Sequence, residues 1–251
     1  MANYISEDQI EKAIVEVFTH NLSYRHINCM EKDTTGRLNE TDVVIKPLLR
    51  RKLVELNKGL PESAIDEAFE QLCQTRLDKS EFEANKEIAG LIKNGIQLEI
   101  NNANGRKETV NVKVVDFNEP TKNDYLVVSQ LWIQGQFIRR RPDLIVFLNG
   151  LPVIFIELKN SNVAVRNAYD DNLTNYRRDI PLLFRYNALC MLSNGIETKV
   201  GSFNAGYGHF FNWLRPDSEE QVPEYRDWET DRKSTRLNSS HSGESRMPSS
   251  A

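Results

Sequence analysis

The sequence predicts an α/β domain, a mixed sheet flanked by helices with a helical N-terminal portion. Three observations carry this. Apolar residues recur at helical spacing through much of the first hundred residues. From residue 109 onward, β-branched and aromatic runs dominate. A polar stretch leading into a helical pattern separates two groups of those runs, as a crossover connection would.

"SEDQIEKAIVEVF" (6–18) offers a Ser cap and then Ile10, Ala13, Ile14, Val17 and Phe18 along one helix face. "YRHINCMEKDTTGRLNETD" reads as loop. Helical patterns follow in "VVIKPLLRRKLVELN", "ESAIDEAFEQLCQT" and "EFEANKEIAGLIKNG". The predicted strands are 109–117, 125–135, 142–148 and 151–159. A helix is predicted over 166–179, strands over 188–195 and 197–203, and a short helix in "GYGHFFNWL". There is no internal repeat.

Composition sets bounds on function. The chain has 251 residues, 39% hydrophobic and 27% charged, as in ordinary soluble globular proteins. No apolar run is long enough to span a bilayer, and "MANYISEDQIEK" lacks the apolar core of a signal peptide. The three cysteines (Cys29, Cys73 and Cys190) have no metal-ligand spacing and read as reduced thiols of a cytoplasmic protein. The four histidines form no HExxH-type cluster. A formal net charge of −4 argues against non-specific coating of nucleic acid, though not against a local basic groove.

Residues 231–251 stand apart. "DRKSTRLNSSH" back-translates into a common sequencing-library adapter, and "ESRMPSSA" fits its continuation in frame. The segment therefore reads as an artefact, with the natural chain interrupted near Thr230, and it is expected to be disordered. Without its four basic and two acidic residues, the remainder holds 28 basic against 34 acidic residues.

The most informative stretch is "RPDLIVFLNGLPVIFIELKN" (141–160). Two apolar runs joined by Asn149-Gly150 read as a buried hairpin, yet Asp143, Glu157 and Lys159 sit at its ends. Burying such charges without partners is costly. A strict two-residue turn would set Asp143 and Glu157 on opposite faces, because facing residues would sum to 299. A three-residue connection or one bulge makes the sum 300 and places them across from each other. Gly150 is the residue suited to the positive φ of a G1 bulge. Glu157 and Lys159 share a face in either register, and Leu158 turns to the other.

Two carboxylates and a lysine at a strand end suit metal-assisted phosphodiester hydrolysis. The carboxylates supply hard oxygen ligands for Mg²⁺. A bound metal acidifies water and neutralises charge developing on the phosphate. The lysine orients the water or stabilises that charge. An ordinary solvated Asp–Lys or Glu–Lys pair is the competing reading, because ExK alone is a weak signal.

The stretch resembles the PD-(D/E)xK nuclease motif, with Pro142-Asp143 and Glu157-Leu158-Lys159 in its two halves. More closely, the chain is similar to the N-terminal nuclease domain of type I restriction enzyme R subunits. "NDYLVVSQ" (123–130), the hairpin, "AYDDNLTNYRRDIPLLF" (168–184), "MLSNG" and "AGYGHFFNW" follow in family order. This resemblance implies a restriction-endonuclease-like fold over 1–216. It implies that 217–230 begins a linker to a missing ATP-dependent translocase. It implies a cytoplasmic, Mg²⁺-dependent endonuclease acting on double-stranded DNA alongside methyltransferase and specificity subunits, with ATP serving only the motor. No GxxxxGK[ST] motif is present.

Carried onto this sequence, the resemblance makes Asp143, Glu157 and the Leu158 carbonyl metal ligands and Lys159 the catalytic lysine. In the family's QxxxY element, Tyr176 fills the Tyr slot, while Asn172 replaces Gln with a side chain one methylene shorter. Tyr169, Asn172 and Tyr176 would share one helix face, for substrate binding or for packing. A helix-1 glutamate is expected to complete the site, Glu11 or Glu7. "IRRR" (138–141) with Arg166, Arg177 and Arg178 could form the basic groove, Arg141 and Arg177 foremost. Alternation puts Arg139 and Arg141 on one face and leaves Arg140 as a solvated edge charge. A non-catalytic docking module on a nuclease fold and a stand-alone nuclease of another PD-(D/E)xK family are the alternatives.

Overall fold

A computed structural model describes residues 4–101 and 106–213. The proposed linker (217–230) and the adapter-like segment (231–251) lie outside the described residues.

Ser6 caps α1 (Glu7–Glu16) through a reciprocal box with Gln9, and a π-helical turn extends the helix through Val17–Asn21. The next segment contains β1 (Arg25–Asn28), where the sequence suggested only loop. Helices α2 (Lys46–Leu56), α3 (Glu62–Cys73) and α4 (Glu81–Asn94) follow as predicted. β2 (Ile96–Asn101) and β3 (Lys107–Val112) pair only with each other. The predicted strand over 109–117 is therefore cut short at Val112 and belongs to a separate small sheet.

The predicted strand 125–135 breaks in two. β4 (Tyr125–Ser129) stops where Gln130 adopts a φ of 57°, and Ile133–Gln134 forms β5, paired with β6 (Arg139–Arg140). The hairpin strands are β7 (Leu144–Leu148) and β8 (Leu151–Leu158). β9 (Leu189–Ser193), β10 (Thr198–Gly201) and β11 (Phe211–Asn212) complete the set. The short helix predicted in "GYGHFFNWL" is only a turn at Tyr207–His209, followed by edge strand β11.

The main sheet runs β1-β4-β7-β8-β9-β10-β11. It is mixed: β1 with β4 and β8 with β9 are parallel, and the other neighbours antiparallel. The parallel step from β8 to β9 needs a crossover, which carries a helical segment over 165–179. One face of the sheet, with Leu126, Val128, Ile145, Phe147 and Phe155, packs on α2–α4 and the crossover. The other face, with Val127, Leu144, Val146, Ile156 and Leu158, packs on Ile10 of α1. Both faces being covered explains why β7 and β8 read as continuous apolar runs.

Asn149 and Gly150 both have positive φ, 52° and 89°, and form a two-residue turn that pairs Leu148 with Leu151. The predicted alternative of a bulge is realised, though not at Gly150. Phe147 pairs with Pro152 and Val146 with Ile154, so Val153 is the extra residue. Its carbonyl accepts a hydrogen bond from Ala188 N–H at 2.8 Å.

Candidate active site

Beyond Val153 the facing residues sum to 300, with Leu144 opposite Ile156. One step further, Asp143 and Glu157 fall opposite each other on the face that carries Ile145 and Phe155. Leu158 turns to the other face and is buried beside Ile10 and Leu144.

Both carboxylates are oriented by neighbours. Leu158 N–H donates to Asp143 Oδ2 at 2.8 Å, and the Gln130 amide approaches Oδ1 at 3.4 Å. Glu157 is only 2% exposed. Its Oε1 accepts from the Asn172 amide and stands 3.8 Å from Lys159 Nζ. Its Oε2 is buried with no hydrogen-bond partner. Burial, and then the Asp143 charge, push Glu157 well above the usual carboxylate range, while Lys159 pulls the other way. Burial likewise raises Asp143, against the bond from Leu158.

The two N-terminal glutamates are placed differently. Half-buried Glu11 accepts from Gln130 Nε2 at 2.5 Å, which joins it to Asp143 through one shared amide. Burial raises its pKa, and that bond lowers it. Exposed Glu7 accepts from Asn160 N–H at 3.3 Å, beside Lys159. Gln130, the last residue of "NDYLVVSQ", is a site residue that its type does not announce. Its signal is conformational, a positive φ that the sequence does not advertise.

The crossover helix brings Asn172 and Tyr176 to the site and leaves Tyr169 out. Residues 168–173 form a π-helical turn, which changes the phase of side chains around the axis. Tyr169 instead bonds the Ala205 carbonyl at 2.8 Å and packs edge-on against Tyr207 and Phe210. Tyr176 packs edge-on against Phe155, and its hydroxyl donates to the Arg141 carbonyl at 3.2 Å. Burial raises the pKa of its phenol.

The arginines divide. Arg141 lies over Trp132 at 5.0 Å, with Arg139 over the same ring at 4.2 Å. Arg140 is no free edge charge: it pairs with Asp179, Nε at 2.8 Å, and lies over Tyr176 at 5.7 Å. Arg177 is not brought to the carboxylates. Its guanidinium donates to the Phe203 carbonyl at 2.7 Å and the Tyr169 hydroxyl at 3.0 Å.

Among the described residues no set of three or more Asp, Glu, His or Cys groups is arranged to hold a metal ion. The candidate donors are therefore the Asp143–Glu157 pair and backbone carbonyls. No described helix is long and apolar enough to cross a membrane.

Residues 4–209 match the family model described as type I restriction enzyme R protein N terminus. A putative type I restriction enzyme MjaIXP endonuclease subunit of Methanocaldococcus jannaschii is 31% identical over 228 residues, 87% of this chain and 21% of that protein. The type I restriction enzyme HindI endonuclease subunit of Haemophilus influenzae is 32% identical over 184 residues, 71% of this chain and 17% of that protein. The chain thus spans about a fifth of the length of these relatives. It belongs to the type I restriction enzyme R protein N-terminal family.

Proposed function

We propose that this chain is the Mg²⁺-dependent DNA endonuclease portion of a type I restriction R subunit, hydrolysing phosphodiester bonds of foreign double-stranded DNA. The observation that carries the reading is the unpartnered, buried Oε2 of Glu157 opposite Asp143, at a strand end that also holds Lys159. Two adjacent carboxylates, Glu157 buried and Asp143 partly buried, both with raised pKa values, form a site short of positive charge, which a hard cation would supply.

Asp143, Glu157 and the Leu158 carbonyl would hold the ion. When bound, it would acidify a water and offset charge on the scissile phosphate. Asn172 fixes Oε1 of Glu157 and leaves Oε2 for that role. Lys159, with its side chain 17% exposed, orients the attacking water or stabilises the developing oxyanion. Tyr176 braces the backbone at Arg141, two residues before Asp143. Arg141 lies on the same strand approach and would take a DNA phosphate, held in place by Trp132.

In the whole protein, an ATP-driven motor would follow this portion, and the methyltransferase and specificity subunits would be its partners in the complex. The test is separation of labour in that assembly. Asp143→Ala, Glu157→Ala and Lys159→Ala should each abolish DNA cleavage while ATP-driven translocation persists. Wild-type cleavage in all three would overturn the assignment.

A further inference from the structure

We infer that Gln130 is a positioning residue of this site, its single amide clamping Glu11 of α1 and Asp143 of the hairpin in fixed relation; the inference rests on the nuclease reading above. Gln130 is 8% exposed and stands across from Asp143, whose carbonyl accepts its backbone N–H at 2.9 Å. The side-chain amide has two N–H groups. Nε2 lies 2.5 Å from Glu11 Oε2 and 3.4 Å from Asp143 Oδ1. With Leu158 N–H on Oδ2, both oxygens of Asp143 are then engaged. The carboxylate plane has little freedom left.

The backbone at this position supports a role beyond packing. Gln130 holds a φ of 57°, a left-handed conformation that is unfavourable for a residue with a Cβ. Glycine would adopt it freely, so strain is tolerated where the side chain is needed. Attachment of α1 does not require this clamp. Ile10 is buried against Leu144 and Leu158, and Ile5 N–H donates to Ser161 Oγ at 2.8 Å. What Gln130 adds is the placement of Glu11 relative to Asp143. An amide does this without bringing a third charge, whereas a carboxylate there would add repulsion and an ammonium would compete for the pair.

The test uses the full-length subunit in its assembly, with Gln130→Gly, Glu11→Gln and their combination, and Asp143→Ala as control. Glycine removes the amide and relieves the backbone. Gln130→Gly should lower the cleavage rate roughly 10- to 100-fold, the usual range for a residue that orients a metal-site ligand. It should raise the Mg²⁺ concentration needed for thermal stabilisation by a similar factor, a readout that needs no turnover. The unfolding temperature in chelator should hold or rise. In the Glu11→Gln background, the added loss should be much smaller than in the wild type. Wild-type cleavage and Mg²⁺ midpoint in Gln130→Gly would overturn the inference, as would independent, multiplying losses. So would a fall in activity matched by a fall in metal-free stability. If Asp143→Ala, Glu157→Ala and Lys159→Ala all cleave as wild type, the nuclease reading itself fails; if they do not cleave and Gln130→Gly behaves as wild type, this inference alone fails.

Discussion

Val146 pairs with Ile154, not with Val153. That one-residue shift decides which side chains meet at the far end of the hairpin. With an unbroken register, Glu157 would face the α1 side of the sheet, while Asp143, on the regular strand β7, would stay on the other. The bulge makes a pair of carboxylates out of two unrelated charges.

The turn that starts this register depends on Gly150. A Cβ there would lie 2.8 Å from both the Ile45 carbonyl oxygen and the Leu49 nitrogen, at a φ of 89°. Gly150→Ala should destabilise the domain by about 1–3 kcal/mol, seen as a lower denaturation midpoint. An unchanged midpoint would show that the turn can relax away from α2.

Glu157→Gln should stabilise the cation-free protein at neutral pH while removing cleavage. The substitution keeps shape and replaces a buried charge that lacks a partner on Oε2. A gain of about 1–3 kcal/mol is expected in chelator. Loss of stability would mean that the charge is already balanced by Lys159.

The pH dependence follows from the same pair. A carboxyl whose folded pKa lies above its unfolded value binds more protons when folded between those two values. Unfolding free energy therefore falls as pH rises through that window. The window opens near the unfolded carboxylate pKa, about 4, and closes above the raised values of Asp143 and Glu157. Thermal melts in chelator should show this decline, and saturating Mg²⁺ should flatten it. The double variant Asp143→Asn, Glu157→Gln should lose most of it. A slope of the opposite sign would contradict the charge balance described here.

Adjacent arginines should separate structure from substrate. Arg140 is paired with buried Asp179, so Arg140→Ala should cost about 1–3 kcal/mol of stability. Arg141→Ala should leave the denaturation midpoint nearly unchanged, weaken DNA binding and reduce its salt dependence. Equal effects of the two on DNA affinity would dissolve the distinction.

Much of this arrangement was legible in the residues. Ser6 and the spacing of Ile10 and Ile14 announced α1, and the paired apolar runs with Asn149-Gly150 announced the hairpin. The requirement that Asp143 and Glu157 share a face predicted a register change somewhere between them. Its position was not legible, because β8 is apolar on both faces and no alternation marks Val153 as extra. β1 is not legible because "RHIN" is short and polar, and its partner β4 lies about a hundred residues away. Helical spacing groups Tyr169 with Asn172 and Tyr176, and the π-helical turn at 168–173 breaks that grouping in favour of the packing alternative. Charge alone suggests Arg177 for a basic groove, and its bonds to Phe203 and Tyr169 are long-range contacts that charge does not reveal. Gln130 is not legible because nothing in its residue type signals a left-handed backbone.

The most direct measurement is anomalous diffraction from crystals of the protein soaked in Mn²⁺, a close substitute for Mg²⁺. A peak is expected against the Asp143 and Glu157 carboxylates and the Leu158 carbonyl, at oxygen distances of about 2.0–2.6 Å. The peak should vanish in Glu157→Gln crystals treated identically. Ordered carboxylates with no peak between them at saturating Mn²⁺ would contradict the central claim.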